Sequence, residues 1–157
     1  LDKEFIPLLT IAGVGSSLSF NNQDQLKHHI YSVSKANPFD LPLHNGRSTK
    51  IIQLNQPGII KLGCNIHDWM LAYVYVAQSD RVKIMDKRSI VSFSDLPAGE
   101  YQIKIWSPRL RNTRKPVTTS VTLAGGQSQT TTIKVKLRKR IRKPVRNEQA
   151  ADYNGDA

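Results

Sequence analysis

Residues 59–76 read IIKLGCNIHDWMLAYVYV and decide the fold. Two apolar runs, Ile59–Gly63 and Leu71–Val76, are rich in β-branched and aromatic residues, and a short polar segment separates them. Such runs, bounded by turn residues, are typical of buried β-strands joined by a loop. The segment therefore predicts two neighbouring strands whose connecting loop, 64–70, carries a cysteine, a histidine and a methionine.

The same pattern of short strands continues on both sides of this segment. Gly, Pro, Asn and Asp break the chain at regular intervals, as in Asn45-Gly46, Pro57-Gly58 and Leu96-Pro97-Ala98-Gly99. The other predicted strands are Phe5–Ile11, Ser17–Phe20, His28–Val33, Ile51–Leu54, Ile90–Phe93, Glu100–Trp106, Val117–Leu123 and Gln129–Leu137. We expect an all-β protein, with its first part an antiparallel sandwich that has Greek-key crossings.

Composition and charge narrow the class of protein. Of the 157 residues, 39% are hydrophobic, which is enough for a packed core, and no run of 18 apolar residues predicts a membrane span. The net charge is +11, and the segment 134–146 holds eight Lys or Arg and no acid; subtracting these leaves +3 for the rest. Because the chain begins with Leu1, we expect a mature or trimmed product whose export signal has been removed.

Three potential metal ligands stand three residues apart in the loop, namely Cys64, His67 and Met70. Thiolate, imidazole and thioether are soft to borderline ligands and together suit copper, and one more imidazole would complete a His₂Cys set with a weak axial Met. His28 and His29 both offer that imidazole, but neighbouring strand residues face opposite ways, so only one of them is expected to bind. Zinc, which has no use for a thioether, and a nucleophilic Cys–His pair are the less favoured alternatives.

The residues around these ligands resemble those of the cupredoxins, most closely the amicyanin and plastocyanin type. The resemblance rests on the C-x2-H-x2-M loop and on Phe20-Asn21-Asn22-Gln23-Asp24, with His28 four residues beyond that Asp. Residues 4–110 further resemble bacterial cupredoxin-domain proteins labelled "methylamine utilization protein". That likeness is carried by His28-His29-Ile30-Tyr31-Ser32, Leu62–Asp68, Asp95–Tyr101 and Trp106–Leu110.

This resemblance implies one type 1 (blue) copper ion held by His28, Cys64, His67 and Met70. His29, which follows the ligand, would then hold the loop by hydrogen bonding. Asn65 would tune the thiolate by hydrogen bonds, and Asp68 is either a similar support or a solvated turn residue. Trp69 either provides an apolar route by which electrons enter or packs against the protein.

The predicted organisation has three parts. Residues 1–77 form the cupredoxin domain, residues 78–137 a small β-sandwich-like domain that resembles carboxypeptidase regulatory modules, and residues 138–157 a basic, flexible tail.

The expected function is single-electron transfer between periplasmic redox partners, without enzymatic turnover. The partner is expected to be an acidic cytochrome or dehydrogenase, since complementary charge speeds encounter, and we expect no binding to nucleic acid. The alternative is a copper-binding or docking subunit of a larger periplasmic assembly that does not cycle between oxidation states.

Overall fold

The computed structural model of the chain describes residues 3–44, 50–85 and 88–139, and within these ranges all regular structure is β. The prediction of an all-β protein is confirmed. Within the described ranges, no helix has the length and apolar character needed to cross a membrane. The strands are β1 (Leu9–Gly13), β2 (Ser17–Phe20), β3 (His28–Ser32), β4 (Phe39–His44), β5 (Lys50–Gln53), β6 (Gly58–Cys64), β7 (Leu71–Ala77), β8 (Gly99–Ile105) and β9 (Val117–Leu123).

The first seven strands form two sheets. One has five strands in the order β1-β7-β6-β3-β4, and the other pairs β2 with β5. All pairs are antiparallel except β1 with β7, where Leu9 lies opposite Tyr73 and the strands run the same way. The predicted antiparallel arrangement therefore holds for the pairs of these seven strands, apart from the parallel pair at this edge. Parallel neighbours need a long crossover connection, which the whole chain from β2 to β6 supplies here.

The hydrophobic core lies between these sheets. Alternate residues of β6 and β7 face it, and Ile60 and Val74 are almost completely buried, at 0% and 1% exposure. Phe20 of β2 packs into the same cluster from the opposite sheet. Because side chains alternate along a strand, the face that buries Ile60 and Leu62 also carries Cys64, the last residue of β6.

One strand was missed. β4 contains Asp40 and Pro42, which lower its strand propensity, and the turn residues Asn37-Pro38 precede it. β4 lies at the edge of the five-stranded sheet and has a neighbouring strand on one side only. Proline, which has no backbone N–H, is tolerated there because no strand on the open side needs that hydrogen bond.

The second part of the chain is simpler than expected. Of four predicted strands, only β8 and β9 form, pairing from Gly99 opposite Leu123 to Ile105 opposite Val117. Neither Ile90–Phe93 nor Gln129–Leu137 is a strand in the described part of the chain, and the latter makes a single bridge, from Leu137 to Leu110. Both segments have strand-forming residues but no neighbour with which to form a ladder, and these two predictions were wrong.

Trp106 connects this hairpin to the sandwich. Its ring lies 5.2 Å from that of Tyr73 and 6.3 Å from that of Tyr75, both on the outer side of β7, and its indole N–H donates a hydrogen bond to the carbonyl of Thr113. The predicted domain boundary at residue 77 stays a prediction, and the predicted tail beyond Lys139 lies outside the described residues.

Candidate metal centre

Two neighbouring strands bring His28 and Cys64 together. Ile30 of β3 lies directly opposite Cys64 of β6, and His28 is two residues from Ile30, so its side chain is on the same face. His28 and Cys64 thus extend the core-facing rows of their strands to one end of the sandwich. Both are buried, each with 4% of its surface exposed.

The loop after Cys64 returns to the same place. The Asn65 N–H donates to the carbonyl of His29 at 3.0 Å, and the Met70 N–H donates to the carbonyl of His67 at 2.9 Å. The first bond ties the start of the loop to β3, and the second closes a tight turn that leads into β7. The turn leaves His67 9% exposed and Met70 5% exposed, so both lie beneath the surface at this end.

The separations among the potential ligand atoms suit a single metal ion. The Sγ of Cys64 lies 3.8 Å from Nδ1 of His28 and 3.6 Å from Nδ1 of His67. All three ligand atoms lie within 4.8 Å of one another. Metal–sulfur and metal–nitrogen bonds of about 2.3 and 2.0 Å, at angles from tetrahedral to trigonal, separate sulfur from nitrogen by about 3.5–3.8 Å. The three side chains therefore fit a metal ion bound between them.

The surroundings of His67 favour the neutral form of its imidazole. Burial lowers the pKa of His67 below its ordinary 6.5, and the nearby His28 and Lys3 lower it further, while Asp24 raises it. A lowered pKa favours the neutral imidazole, which is the form that ligates metals.

Asp24 supports the cluster and was not singled out as a site residue from the sequence. Its Oδ2 lies 2.8 Å from Nε2 of His28, the ring nitrogen that faces away from Cys64. A ligand histidine commonly donates its second N–H to a carboxylate in this way. The spacing Asp24-x3-His28 was noted as part of the cupredoxin resemblance, and it was the only signal available for this contact.

His29 faces away from the cluster. Its ring contacts the carboxylate of Asp40 on the outer side of the sheet, and its backbone carbonyl accepts the N–H of Asn65 in the loop. An open cavity of about 660 Å³ adjoins this pair and is also lined by Tyr31 and Asn65. The structure thus places His28 beside Cys64 and leaves His29 to hold the loop by its backbone.

The other predicted residues of the loop are more exposed. Asp68 is exposed. Trp69 is 44% exposed, and its ring centroid lies 5.4 Å from that of His67. Trp69 therefore connects the buried His67 to the surface of this end.

The outer side of the peptide that precedes Cys64 is covered by an aromatic ring. A Cβ placed on Gly63 would come within 2.9 Å of Cζ of Tyr31, the residue directly opposite it on β3. The absence of a side chain at position 63 lets the Tyr31 ring approach the backbone next to Cys64.

Comparisons with known proteins place cupredoxins among the similar structures. No family model and no curated protein matches the chain. A purple cupredoxin from Nitrosopumilus maritimus is 25% identical, with 45% of this chain and 79% of that one covered and a TM-score of 0.41. A mutant of amicyanin in its reduced state is 15% identical, with coverage of 49% and 76% and a TM-score of 0.46. A copper-containing nitrite reductase from Thermus scotoductus SA-01 is 23% identical, with coverage of 48% and 20% and a TM-score of 0.46.

Cupredoxins are thus among the solved structures to which this chain is similar. The cluster of His28, Cys64 and His67 beside the buried Met70 fits a cupredoxin copper site. Because these TM-scores lie below 0.5, the functional conclusion rests on the geometry and chemistry of the site. Two imidazoles and a thiol, buried together at ligand separations, form a prearranged centre for a borderline to soft metal ion.

Proposed function

We propose that the chain binds one copper ion as a type 1 centre and uses it to carry single electrons, without catalysing a reaction. The observation that carries this proposal is the buried triad of Cys64, His28 and His67, with sulfur–nitrogen separations of 3.8 and 3.6 Å. Met70, buried at the end of the same loop, is the proposed weak axial ligand.

The donor set favours copper over zinc. A structural zinc site has four nitrogen, sulfur or oxygen ligands, and the only group of three or more His, Cys, Asp or Glu found in the described residues is this triad. A His₂Cys set with a thioether is the donor set of blue copper centres. Copper bound there would supply a metal that alternates between Cu(I) and Cu(II).

The protein's own residues hold the site rigid and keep water out. Cys64 is fixed by the ladder between β3 and β6, His28 by the pairing of β3 with β4, and His67 by the turn that ends at Met70. Little has to move when the charge of such a buried site changes, and this suits electron transfer. Trp69, half exposed and against His67, is the proposed route by which electrons enter.

The proposed partner is an acidic redox protein, such as a cytochrome or dehydrogenase, in the periplasm. Supporting charge comes from the loop between β8 and β9, which carries Arg109, Arg111, Arg114 and Lys115 and no acidic residue. Attraction between opposite charges accelerates encounter and weakens with salt.

Copper titration of the metal-free protein tests the proposal. We expect one equivalent of Cu(II) to produce an intense visible absorption band that ascorbate bleaches and ferricyanide restores. Cys64→Ser removes the thiolate and is expected to abolish the band, while Asp40→Asn, on the outer side of the sheet, serves as a folded control that keeps it. A band that survives in Cys64→Ser would refute the assignment.

The same titration separates electron transfer from the alternative role. A copper-binding or docking subunit without redox cycling would retain Cu(I), stay colourless and resist oxidation by ferricyanide. That result would leave the metal site standing and overturn the proposed electron transfer.

A further inference from the structure

We infer that Asp24 is a positioning residue that fixes the tautomer of His28 and lowers the reduction potential of the centre. The inference rests on the proposed copper site and adds a residue to it. Asp24 touches neither sulfur nor metal, because it acts through the imidazole of His28.

The geometry of the contact assigns the proton on the His28 ring. Oδ2 of Asp24 lies 2.8 Å from Nε2 of His28, and a carboxylate only accepts hydrogen bonds, so Nε2 carries the hydrogen. In the neutral ring, Nδ1 then has a free lone pair, and this is the atom that lies 3.8 Å from the Sγ of Cys64. The carboxylate thus presents the metal-binding nitrogen of His28 toward the other ligands.

The loop between β2 and β3 holds Asp24 in place. The N–H of Asp24 donates to the side-chain oxygen of Asn22 at 2.9 Å, and the side-chain amide of Asn22 donates to the carbonyl of Leu26 at 2.8 Å. Asn22 therefore closes a local turn around Asp24 from both sides. The carboxylate is ordered by the turn before any metal binds, which is what a positioning role requires.

Burial makes the charge of Asp24 effective. The side chains of His28 and Asp24 are 5% and 15% exposed, so little water screens the carboxylate from the site. A fixed negative charge on the far side of a ligand imidazole stabilises the more positive oxidation state of a bound metal. Copper(II) is favoured over copper(I), and the reduction potential falls.

The neighbouring residue provides a matched control. His29 also contacts a carboxylate, that of Asp40, but this pair faces the outer side of the sheet and the Asp40 side chain is 70% exposed. Asp40→Asn therefore removes an equivalent charge from an adjacent histidine without touching the proposed centre. Asp24→Asn keeps an oxygen that can accept the Nε2 hydrogen but loses the charge, and Asp24→Ala loses both.

Two measurements test the inference, and only one of them needs copper. Imidazole nitrogen NMR of the metal-free protein reports the tautomer of His28. We expect the Nε2-protonated form in the wild type, Asp24→Asn and Asp40→Asn, and a mixture of tautomers in Asp24→Ala. A single, unchanged tautomer in Asp24→Ala would overturn the positioning role.

Voltammetry of the copper-loaded proteins reports the effect of the charge. Removing a partner of a ligand histidine changes metal affinity by about 10–100-fold. We expect Asp24→Asn to weaken Cu(II) binding about tenfold relative to Cu(I), which is a rise of about 59 mV in the one-electron potential. Asp24→Glu, which keeps the charge, is expected to restore most of the wild-type potential, and Asp40→Asn to leave it unchanged.

The outcomes distinguish this inference from the proposed function. If the wild type forms no coloured copper centre, the proposed function fails, while the tautomer experiment still decides whether Asp24 orients His28. If the wild type is coloured and Asp24→Asn has the wild-type potential, the inference alone is wrong. Circular dichroism of each variant confirms that it is folded before either measurement is interpreted.

Discussion

Replacing Gly63 by alanine should destabilise the protein through one identifiable contact. The new Cβ would lie 2.9 Å from Cζ and 3.0 Å from both Cε1 and Oη of Tyr31, so the ring must move. Overfilling a packed site of this kind costs about 1–3 kcal/mol. Gly63 does not have a left-handed backbone conformation, so alanine also removes freedom from the unfolded chain and returns about 0.4–1 kcal/mol.

The two effects leave a net loss of between about 0 and 2.6 kcal/mol in the free energy of unfolding of Gly63→Ala. The atoms that clash belong to the outer end of the Tyr31 side chain, and Tyr31 lines the open cavity beside β3 and β4. The ring can therefore swing outward, which keeps the loss toward the lower part of the overpacking range.

A double-mutant cycle in urea isolates this contact. In a Tyr31→Ala background the steric conflict is gone, and Gly63→Ala should become stabilising by about 0.4–1 kcal/mol because only the effect on the unfolded chain remains. The metal-free protein is used throughout so that copper affinity does not enter the measurement. Equal destabilisation by Gly63→Ala in both backgrounds would refute the steric explanation.

Four further outcomes follow from the structure. Ile60→Ala should lower the free energy of unfolding in urea by about 2–5 kcal/mol, because Ile60 is completely buried, at 0% exposure. A loss as small as that of an exposed residue would contradict its place in the core. Trp106→Phe should cost about 1 kcal/mol by removing the hydrogen bond to Thr113. Burial raises the pKa of Tyr73 above 10.0, so the unfolded chain loses this proton at a lower pH than the folded protein does. The free energy of unfolding should therefore fall as pH rises beyond 10. Urea unfolding at a series of pH values should show a smaller fall in Tyr73→Phe. Copper loading should slow amide hydrogen exchange in the loop Asn65–Met70 more than in the strands, which are already held by their ladders.

The candidate ligands were easier to select from the sequence than the strands around them, and the structure brings His28, Cys64 and His67 together. Cys64, His67 and Met70 are identified by residue type and spacing, and these do not depend on knowing which strands pair. The strand β4 was missed because Pro42 and Asp40 disfavour a strand locally, while its place at a sheet edge makes both acceptable. The edge position depends on how all the strands pair, so the residues of β4 alone do not predict it.

The reverse error occurred in the second part of the chain. Ile90–Phe93 and Gln129–Leu137 have suitable strand residues, yet neither joins a sheet in the described structure. Strand propensity reports that a segment suits a pleated, half-buried surface, but a strand also needs a partner. The contact from Asp24 to His28 had only the spacing Asp24-x3-His28 as a signal, and this spacing alone does not show that the carboxylate meets the ring.

The hydrophobic core itself selects the ligands. Ile30 and Leu62 must face the interior, and because side chains alternate, their burial also turns His28 and Cys64 inward at the end of the sandwich. A slip of one residue in β3 would present His29 in place of His28 and would at the same time expose Ile30. The choice between two adjacent histidines is therefore made by apolar packing energy, and the proposed metal adds to a geometry that the core already enforces.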